Sequence, residues 1–443
     1  MSQRVERIVI KRSHPNWKAC TRLCSLSRKL GNAATYILRH RIFEKQSPLS
    51  RVELDRLLRE QYPRDYSAMP SASSAQRQGQ LITKQFKSYV KASIEYKKHP
   101  EKFQAKPNLP GYRDKYRAFC IGRNGYKIEN NRLTITGAET VNFKPLTVRC
   151  CSNQMFNAKA TGQLAGDFRI IPKGNSFIAE LTYQKKEQQV PVLLDRKQAI
   201  CIDLGVNNFA TIVSTKPGEK PILVKGGVLK MINQSYNKRA AQLRSKGQRK
   251  HLASVSFKRQ RKIDDAIHKI SRYIINYCVS YDIGRIIVGK NDHWKQSCKM
   301  GRRNNQNFVS LPHSKLIEQL RYKGEDYGIE VTEIAESYTS KASALDLDDI
   351  PAYGKTVTSK TFSGKRIKRG LYVTREGKKI NADVNGAINV GRKELGNGWL
   401  KKLLELDEGV FVSTPTVLRT PYAVRRPFEI GARSDEAHDF SRG

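Results

Sequence analysis

One aspartate stands at the end of an apolar run, Ala199-Ile200-Cys201-Ile202-Asp203-Leu204-Gly205, in a chain that carries 82 Lys+Arg against 40 Asp+Glu. A carboxylate inside a hydrophobic strand is costly unless a cation compensates it, so Asp203 invites a metal ion. Gly205 and Asn207-Asn208 allow the chain to turn sharply beside it before a second strand begins. A second acid, Asp383, lies in Ile380-Asn381-Ala382-Asp383-Val384-Asn385-Gly386-Ala387-Ile388. There Asn381 can cap a helix, while Ala382, Gly386 and Ala387 permit close packing on a sheet, so Asp383 is expected at the same rim as Asp203. Each acid also has a plainer reading: Asp203 on a solvated edge strand, and Asp383 as a first-turn acid that favours the helix dipole. The Ile-Asp-Leu-Gly hairpin also opens actin-like ATPases, but a second glycine-rich phosphate hairpin is not apparent and such a protein has no use for so much positive charge.

The elements that would position these acids follow a recognisable order. Residues 199–213 read as strand-turn-strand, 221–225 as a third strand, 229–281 as a long helical segment and 285–288 as a strand. A helix (311–326), a strand (329–334) and a final helix (382–394) complete the series. Three strands, a helix and two strand-helix units is the order of an RNase H-like α/β fold. Nucleases built this way need two or three carboxylates converging on one rim, because two magnesium ions activate water and stabilise the leaving oxygen in a phosphodiester displacement. The first half differs. It reads as an opening strand (4–11), a helical stretch (17–96) and short β-rich runs punctuated by Pro and Gly (108–188). This organisation predicts a β-barrel from residues 1–15 and 108–195, a helical insert at 16–107, the nuclease domain at 196–396 and a partly disordered tail at 397–443.

The third acid is less direct. The strand Arg285-Ile286-Ile287-Val288 ends in Gly289-Lys290-Asn291-Asp292, so glycine stands where many nucleases of this fold carry glutamate. The next strand runs out at Glu336, and neighbouring parallel strands open onto one crevice at their carboxyl ends, so Glu336 can supply the ligand from next door. Alternation puts Glu333 on the opposite face, which makes it the weaker choice, and Asp292 is a further alternative.

A formal charge of +42 and a pI near 10.0 make nucleic acid the leading partner, since counterion release rewards binding to a polyphosphate. No apolar run approaches the roughly 20 residues of a membrane-spanning helix, and Met1-Ser2-Gln3-Arg4 opens no signal core. A cytoplasmic, nucleoid-associated prokaryotic protein is therefore expected. The eight cysteines form no Cys-x-x-Cys pair, so neither zinc nor a disulfide framework is expected. Lys84, Lys87 and Lys91 alternate with Phe86, Tyr89 and Tyr96, a mixture that suits phosphate contacts and base stacking as well as an ordinary solvated helix. Residues 229–263 carry eleven Lys/Arg and no acid, Arg244, Lys258, Arg259, Arg261 and Lys262 among them. Ile263, Ile267, Ile270, Ile274 and Cys278 then mark a buried face. Lys365, Arg366, Lys368 and Arg369 fall in a basic loop (345–380) read as mobile and suited to steering single-stranded DNA. Lys295, Arg302 and Arg303 add a further basic patch, with Trp294 as a stacking or core residue.

Several motifs together resemble a known family: Gly289-Lys290-Asn291 with Trp294-Lys295-Gln296, Gly301-Arg302-Arg303-Asn304, Glu336-Ser337-Tyr338-Thr339-Ser340-Lys341, Gly364-Lys365-Arg366-Ile367-Lys368-Arg369-Gly370 and Asn381-Ala382-Asp383-Val384-Asn385-Gly386. The set looks like the transposon-associated TnpB proteins, relatives of type V CRISPR effectors. The resemblance implies an RNA-guided DNA endonuclease with one RuvC-like site formed by Asp203, a glutamate and Asp383. It further implies two Mg2+ ions, a guide RNA, a target DNA beside a short flanking motif, and one protein monomer per guide RNA. Two departures stand out: Gly289 replaces the usual glutamate, and no cysteine lies between Thr339 and Asp383 where many relatives carry a zinc ribbon. The branch it resembles shares both, which implies a rearranged site with Glu336 as the substitute. A nuclease-dead repressor and a guide-independent transposase of the same fold are the competing readings.

Overall fold

The structure, a computed structural model, describes residues 2–47, 49–149, 166–185, 194–290, 311–351, 362–406 and 409–419. The chain divides into two compact units, Met1–Glu187 with Leu243–Phe257, and Gln188–Gln242 with Lys258–Gly443.

The first unit opens with β1 (Ser2–Ile10) and four helices: α1 (Trp17–Phe43), α2 (Arg51–Gln61), α3 (Pro63–Ser67) and α4 (Ala72–Lys98). Helices α2 and α4 begin where a serine can cap them. Ser50 and Glu53 form a reciprocal capping box, as do Ser71 and Ser74. Leu23, Leu30, Leu54, Leu58, Ile82 and Phe86 fill the core of this unit. Then come β2 (Phe119–Ile121), β3 (Tyr126–Glu129), β4 (Arg132–Ile135), β5 (Leu146–Thr147), β6 (Phe168–Lys173) and β7 (Ser176–Lys185). The opening strand does join this region, as β1 pairs antiparallel with β7. The expected barrel is not closed among the described residues, however: β1-β7-β6-β2 form one four-stranded sheet and β3-β4-β5 a separate three-stranded one. Among the described residues the short runs at 126–147 pair only with one another and extend neither edge of the larger sheet.

The second unit contains β8 (Ala199–Asp203), β9 (Asn208–Ser214) and β10 (Ile222–Lys225), then the larger parts of α5 (Gly227–Ser245) and α6 (Arg249–Ser280), whose adjoining ends at 243–257 are counted with the first unit. It continues through β11 (Arg285–Gly289), α7 (His313–Gly324), β12 (Glu330–Ile334), β13 (Lys365–Lys368), β14 (Leu371–Val373), β15 (Lys379–Asn381), α8 (Ala382–Leu395), α9 (Gly398–Leu406) and β16 (Thr416–Leu418). Six strands form one sheet in the order β12-β11-β8-β9-β10-β16. The hairpins β8-β9 and β9-β10 are antiparallel, whereas β11 lies parallel to both β8 and β12. Counted from β8, the first five of these strands lie in the order 5-4-1-2-3, with β16 added at the far edge.

Helix α8 crosses the middle of the sheet over β8, β9 and β11. Small residues permit the approach: a Cβ on Gly391 would lie 2.4 Å from Cys201 Sγ. Cys201 and Cys278 are buried, like Cys20, Cys24 and Cys120 in the first unit. Desolvation pushes the Cys24, Cys120 and Cys201 thiols up to about 12, as befits packing residues.

Two expectations are corrected and a third is narrowed. The helical segment at 229–281 is two helices, broken at Gly247, whose φ of +63° ends a helix readily. The described part of the basic loop is not a loop, because β13-β14-β15 form a small antiparallel sheet that leads directly into α8. The tail is built into the fold as far as residue 419. Leu400, Leu403 and Phe411 are buried, and β16 extends the large sheet by pairing with β10. Residues 420–443 lie outside the described residues.

Candidate active site

Asp203 is the last residue of β8, opposite Thr211 of β9. The turn that follows is tight because Gly205 allows it: a Cβ there would lie 2.6 Å from the Asn208 carbonyl oxygen. His313, the buried first residue of α7, holds the same turn. Its Nε2–H donates to the Gly205 carbonyl over 3.0 Å, and its ring stacks on Phe209 with centroids 5.1 Å apart. Sequence reasoning missed His313, since a lone histidine opening a helix carries no spacing signal.

Glu336 lies two residues beyond β12 in a turn closed by Thr339, whose N–H and hydroxyl both donate to the Glu336 carbonyl, at 3.2 and 2.9 Å. Tyr338 takes the left-handed conformation that the turn requires, with φ +63°. From there the Glu336 carboxyl reaches back to Asp203. It accepts a hydrogen bond from the Leu204 N–H and shares another with the Asp203 carboxyl. The space it fills lies over Gly289. A Cβ on Gly289 would sit 2.6 Å from Cγ and from Oε1 of Glu336, and 2.8 Å from Val390 Cγ2. A side chain at 289 and the Glu336 side chain therefore compete for one volume.

The two carboxyls resist ionising together. Burial, then the neighbouring Asp383 charge, pushes Asp203 up to about 7. Burial, then Asp203, pushes Glu336 well above the usual carboxylate range. Both side chains keep some exposed surface, but their carboxyl groups are enclosed, and a proton shared between them removes the like-charge repulsion.

Asp383 occupies the first turn of α8, where Asn381 Oδ1 accepts from the N–H groups of Asp383 and Val384. Its carboxylate faces a different environment. Oδ2 accepts from Asn208 Nδ2 at 2.6 Å and Oδ1 from Arg366 Nη2 at 3.3 Å, while Lys225 Nζ donates to Asn208 Oδ1 at 2.8 Å. Asp383 thus borders a cleft of about 580 Å³ lined also by Gly205, Asn208, Lys225, Arg366 and Arg369. Lys230, bonded to Asn207 Oδ1, is pushed down by burial and by the charges of Arg369 and Lys225, which marks a concentration of positive charge. Gly386 keeps the helix close to β8, because a Cβ there would lie 3.0 Å from Asp203 Oδ2.

The expected three-carboxylate cluster is therefore only partly assembled. Among the described residues no three acidic, cysteine or histidine side chains are grouped closely enough to hold an ion as they stand. Asp203 and Glu336 touch, and Asp383 interacts with Asp203 but turns to Asn208 and Arg366. Three carboxylates offer the hard oxygen donors that magnesium prefers, and the proton shared by Asp203 and Glu336 is one that a divalent cation would displace, so these residues fit such an ion.

Glu333 faces elsewhere, paired with Lys290 at 2.5 Å and Arg321 at 2.6 Å. Asp292, Trp294, Lys295, Arg302 and Arg303 lie outside the described residues. Lys365, Arg366, Lys368 and Arg369 are exposed on or beside β13, and of these Arg366 and Arg369 line the Asp383 cleft. Lys258, Arg261 and Lys262 are exposed on α6. Arg259 is instead held by Asn233 Oδ1 at 2.7 Å and lies over Tyr236. In the first unit, Lys84, Lys87 and Lys91 are exposed along α4, whereas Phe86 faces the core. Arg244 is exposed near the end of α5.

The mixed α/β sheet and its strand order are consistent with an RNase H-like fold. Residues 180–295 match a family model described as "Probable transposase" (OrfB_IS605), and residues 313–390 match the Cas12f1-like TNB domain. TnpB-like protein ORF457 of Acidianus two-tailed virus is 24% identical over 211 residues, which cover 44% of this chain and 41% of that protein. The chain thus spans less than half the length of this relative. These matches, like the motifs between 199 and 394, make the chain similar to TnpB-like proteins over its second half. A Cas12f1–sgRNA–target DNA complex (13% identity, 88% of this chain, 100% of that one, TM-score 0.34) and the mini-RNA-guided endonuclease CRISPR-Cas_phi3 (12%, 88%, 92%, 0.39) show likenesses too low to define a shared fold.

Proposed function

We propose that this protein is an RNA-guided DNA endonuclease whose single RuvC-like site uses Asp203, Glu336 and Asp383. The observation that carries the reading is the Glu336 side chain, which fills the volume over Gly289 and meets Asp203 at the sheet rim. A carboxylate is thereby returned to the end of β11 by way of β12. Chance placement of a surface glutamate gives no reason for an enclosed carboxyl pair that resists ionisation.

Asp203, Glu336 and Asp383 would hold the magnesium ions, which when bound activate a water nucleophile and stabilise the departing 3′ oxygen of a phosphodiester. The chain's own groups do the remaining work. Lys225, Lys230, Arg366 and Arg369 bind the phosphates of a single strand lying in the cleft, and none of them breaks a bond. Asn208 orients the Asp383 carboxylate by its 2.6 Å hydrogen bond, while His313 fixes the turn between Asp203 and Asn208. Asp203 and Glu336 hold one proton between them, and a bound ion would displace it, which would tie metal affinity to pH. Guide RNA pairs with the target strand, the basic faces of α4 and α6 grip the backbone, and the protein reads only a short flanking motif in the DNA.

The test is to co-express the full chain with its native flanking DNA, sequence any co-purified RNA and assay magnesium-dependent cutting of a matching target. Guided cutting that is lost in Asp203→Ala and Glu336→Ala supports the nuclease. Guided binding without cutting makes the protein a repressor, and cutting without RNA makes it a guide-independent transposase.

A further inference from the structure

A metal ligand at the end of a strand is held by ladder hydrogen bonds on both sides. A ligand moved two residues past the strand loses that support, and Glu336 is in this position. Helix α8 carries what replaces it. Lys393 Nζ donates to the carbonyls of Ala335 (2.9 Å) and Ser337 (3.2 Å), the two residues that flank Glu336. One turn earlier, fully buried Asn389 donates to the carbonyls of Thr339 (2.9 Å) and Ala342 (2.7 Å), and Thr339 in turn closes the hydrogen bonds onto Glu336. One further turn back, Asn385 bonds to the carbonyl of Ala342 (2.8 Å) and the N–H of Ala344 (2.9 Å). The spacing 385, 389, 393 puts these donors on one helix face, the face turned to the loop after β12.

We propose that Lys393 and Asn389 are positioning residues that clamp the 335–342 loop so that Glu336 stays over Gly289 and against Asp203. This rests on the reading of Glu336 as a metal ligand. The clamp has a purpose that a general tether lacks: Asp383 sits in the first turn of the same helix, so one rigid element sets the distance between Glu336 and Asp383 while its middle packs on the strand of Asp203. Loss of the lysine head group would free the backbone around one ligand and leave the helix intact.

The experiment uses the full chain with Lys393→Met, which keeps the apolar stem and removes the donors, beside Lys393→Arg, Asn389→Ala and Glu336→Ala. Mn2+ binding is measured by electron paramagnetic resonance without nucleic acid, with melting temperature as a check on folding. The clamp predicts at least fivefold weaker Mn2+ binding in Lys393→Met, an unchanged melting profile and substantial rescue in Lys393→Arg. In the cutting assay it predicts a rise in half-saturating Mg2+ larger than the fall in maximal rate. Wild-type Mn2+ affinity in Lys393→Met, with Glu336→Ala weakened, overturns the clamp. Should Asn389→Ala fail to fold, the lysine pair still decides. A protein that never cuts, yet loses Mn2+ affinity in both Lys393→Met and Glu336→Ala, fails as a nuclease and keeps the clamp.

Discussion

The two halves of the acid centre obey different electrostatics. Asp203 and Glu336 are enclosed, in contact and pushed toward the neutral form. Asp383, at the head of α8, borders an open basic cleft and is held by Asn208 and Arg366. One half holds a proton, and the other opens on a cleft lined by Lys225, Arg366 and Arg369. The contrast teaches that a carboxylate at the enclosed, dry end is placed by the volume it can reach, the space over Gly289, whereas the one at the open, wet end is placed by a helix cap and by polar and cationic partners.

The comparison breaks most visibly if its dry half is altered. Asp203→Ala and Glu336→Ala should each reduce guided cutting by about 10³-fold or more while guide RNA still co-purifies, as single-turnover cleavage would show. Gly289→Ala pushes a methyl group into the Glu336 side chain and Val390, so cutting should fall by about 10²-fold in the same assay, with a small loss of stability. At the wet half the effects shrink. Arg366→Ala should weaken cutting about tenfold, mainly through KM, because the pairing with Asp383 is exposed and a strand phosphate takes the arginine in the complex.

The proton stored in the dry half gives a prediction independent of cutting. Asp203 is raised in the folded state, so the native protein keeps a proton that the unfolded chain releases. Its favourable share of stability is present below pH 4 or so and is lost as the pH rises toward about 7. Asp203→Asn should therefore stabilise the metal-free protein at pH 8 by about 1–2 kcal/mol, read as a higher melting temperature, and the gain should vanish near pH 4. The smallest effects lie in the first unit. Replacing any one of Lys84, Lys87 or Lys91 by alanine should weaken RNA binding only a few-fold and lower the slope of log K against log salt by ~1 where the lysine contacts a phosphate.

How far the sequence revealed this depended on whether the signal was local. Asp203 was legible because a charge in an apolar strand is expensive, and Asp383 because Asn381 and the small residues after it spell a capped, closely packed helix. The succession of strands and helices from 199 to 394 followed from hydrophobic period. Glu336 was half legible: its place at a strand end could be read, but its reach over Gly289 depends on the parallel pairing of β11 and β12, which no spacing within one strand encodes. The sheet β13-β14-β15 was missed because its strands are three or four residues long and one of them, Lys365–Lys368, is exposed throughout and nearly all basic, so charge hid the pattern. The described residues form two separate sheets rather than the expected closed barrel, since short alternating runs do not say which strands pair.

The most direct test is an exchange of positions. Guided cutting is measured for the intact protein, for Glu336→Ala and for the double variant Gly289→Glu/Glu336→Ala, all with wild-type guide RNA and saturating Mg2+. If Glu336 occupies the place of the missing strand glutamate, the single variant loses cutting and the double variant regains a measurable part of it. Undiminished cutting by Glu336→Ala would contradict the account.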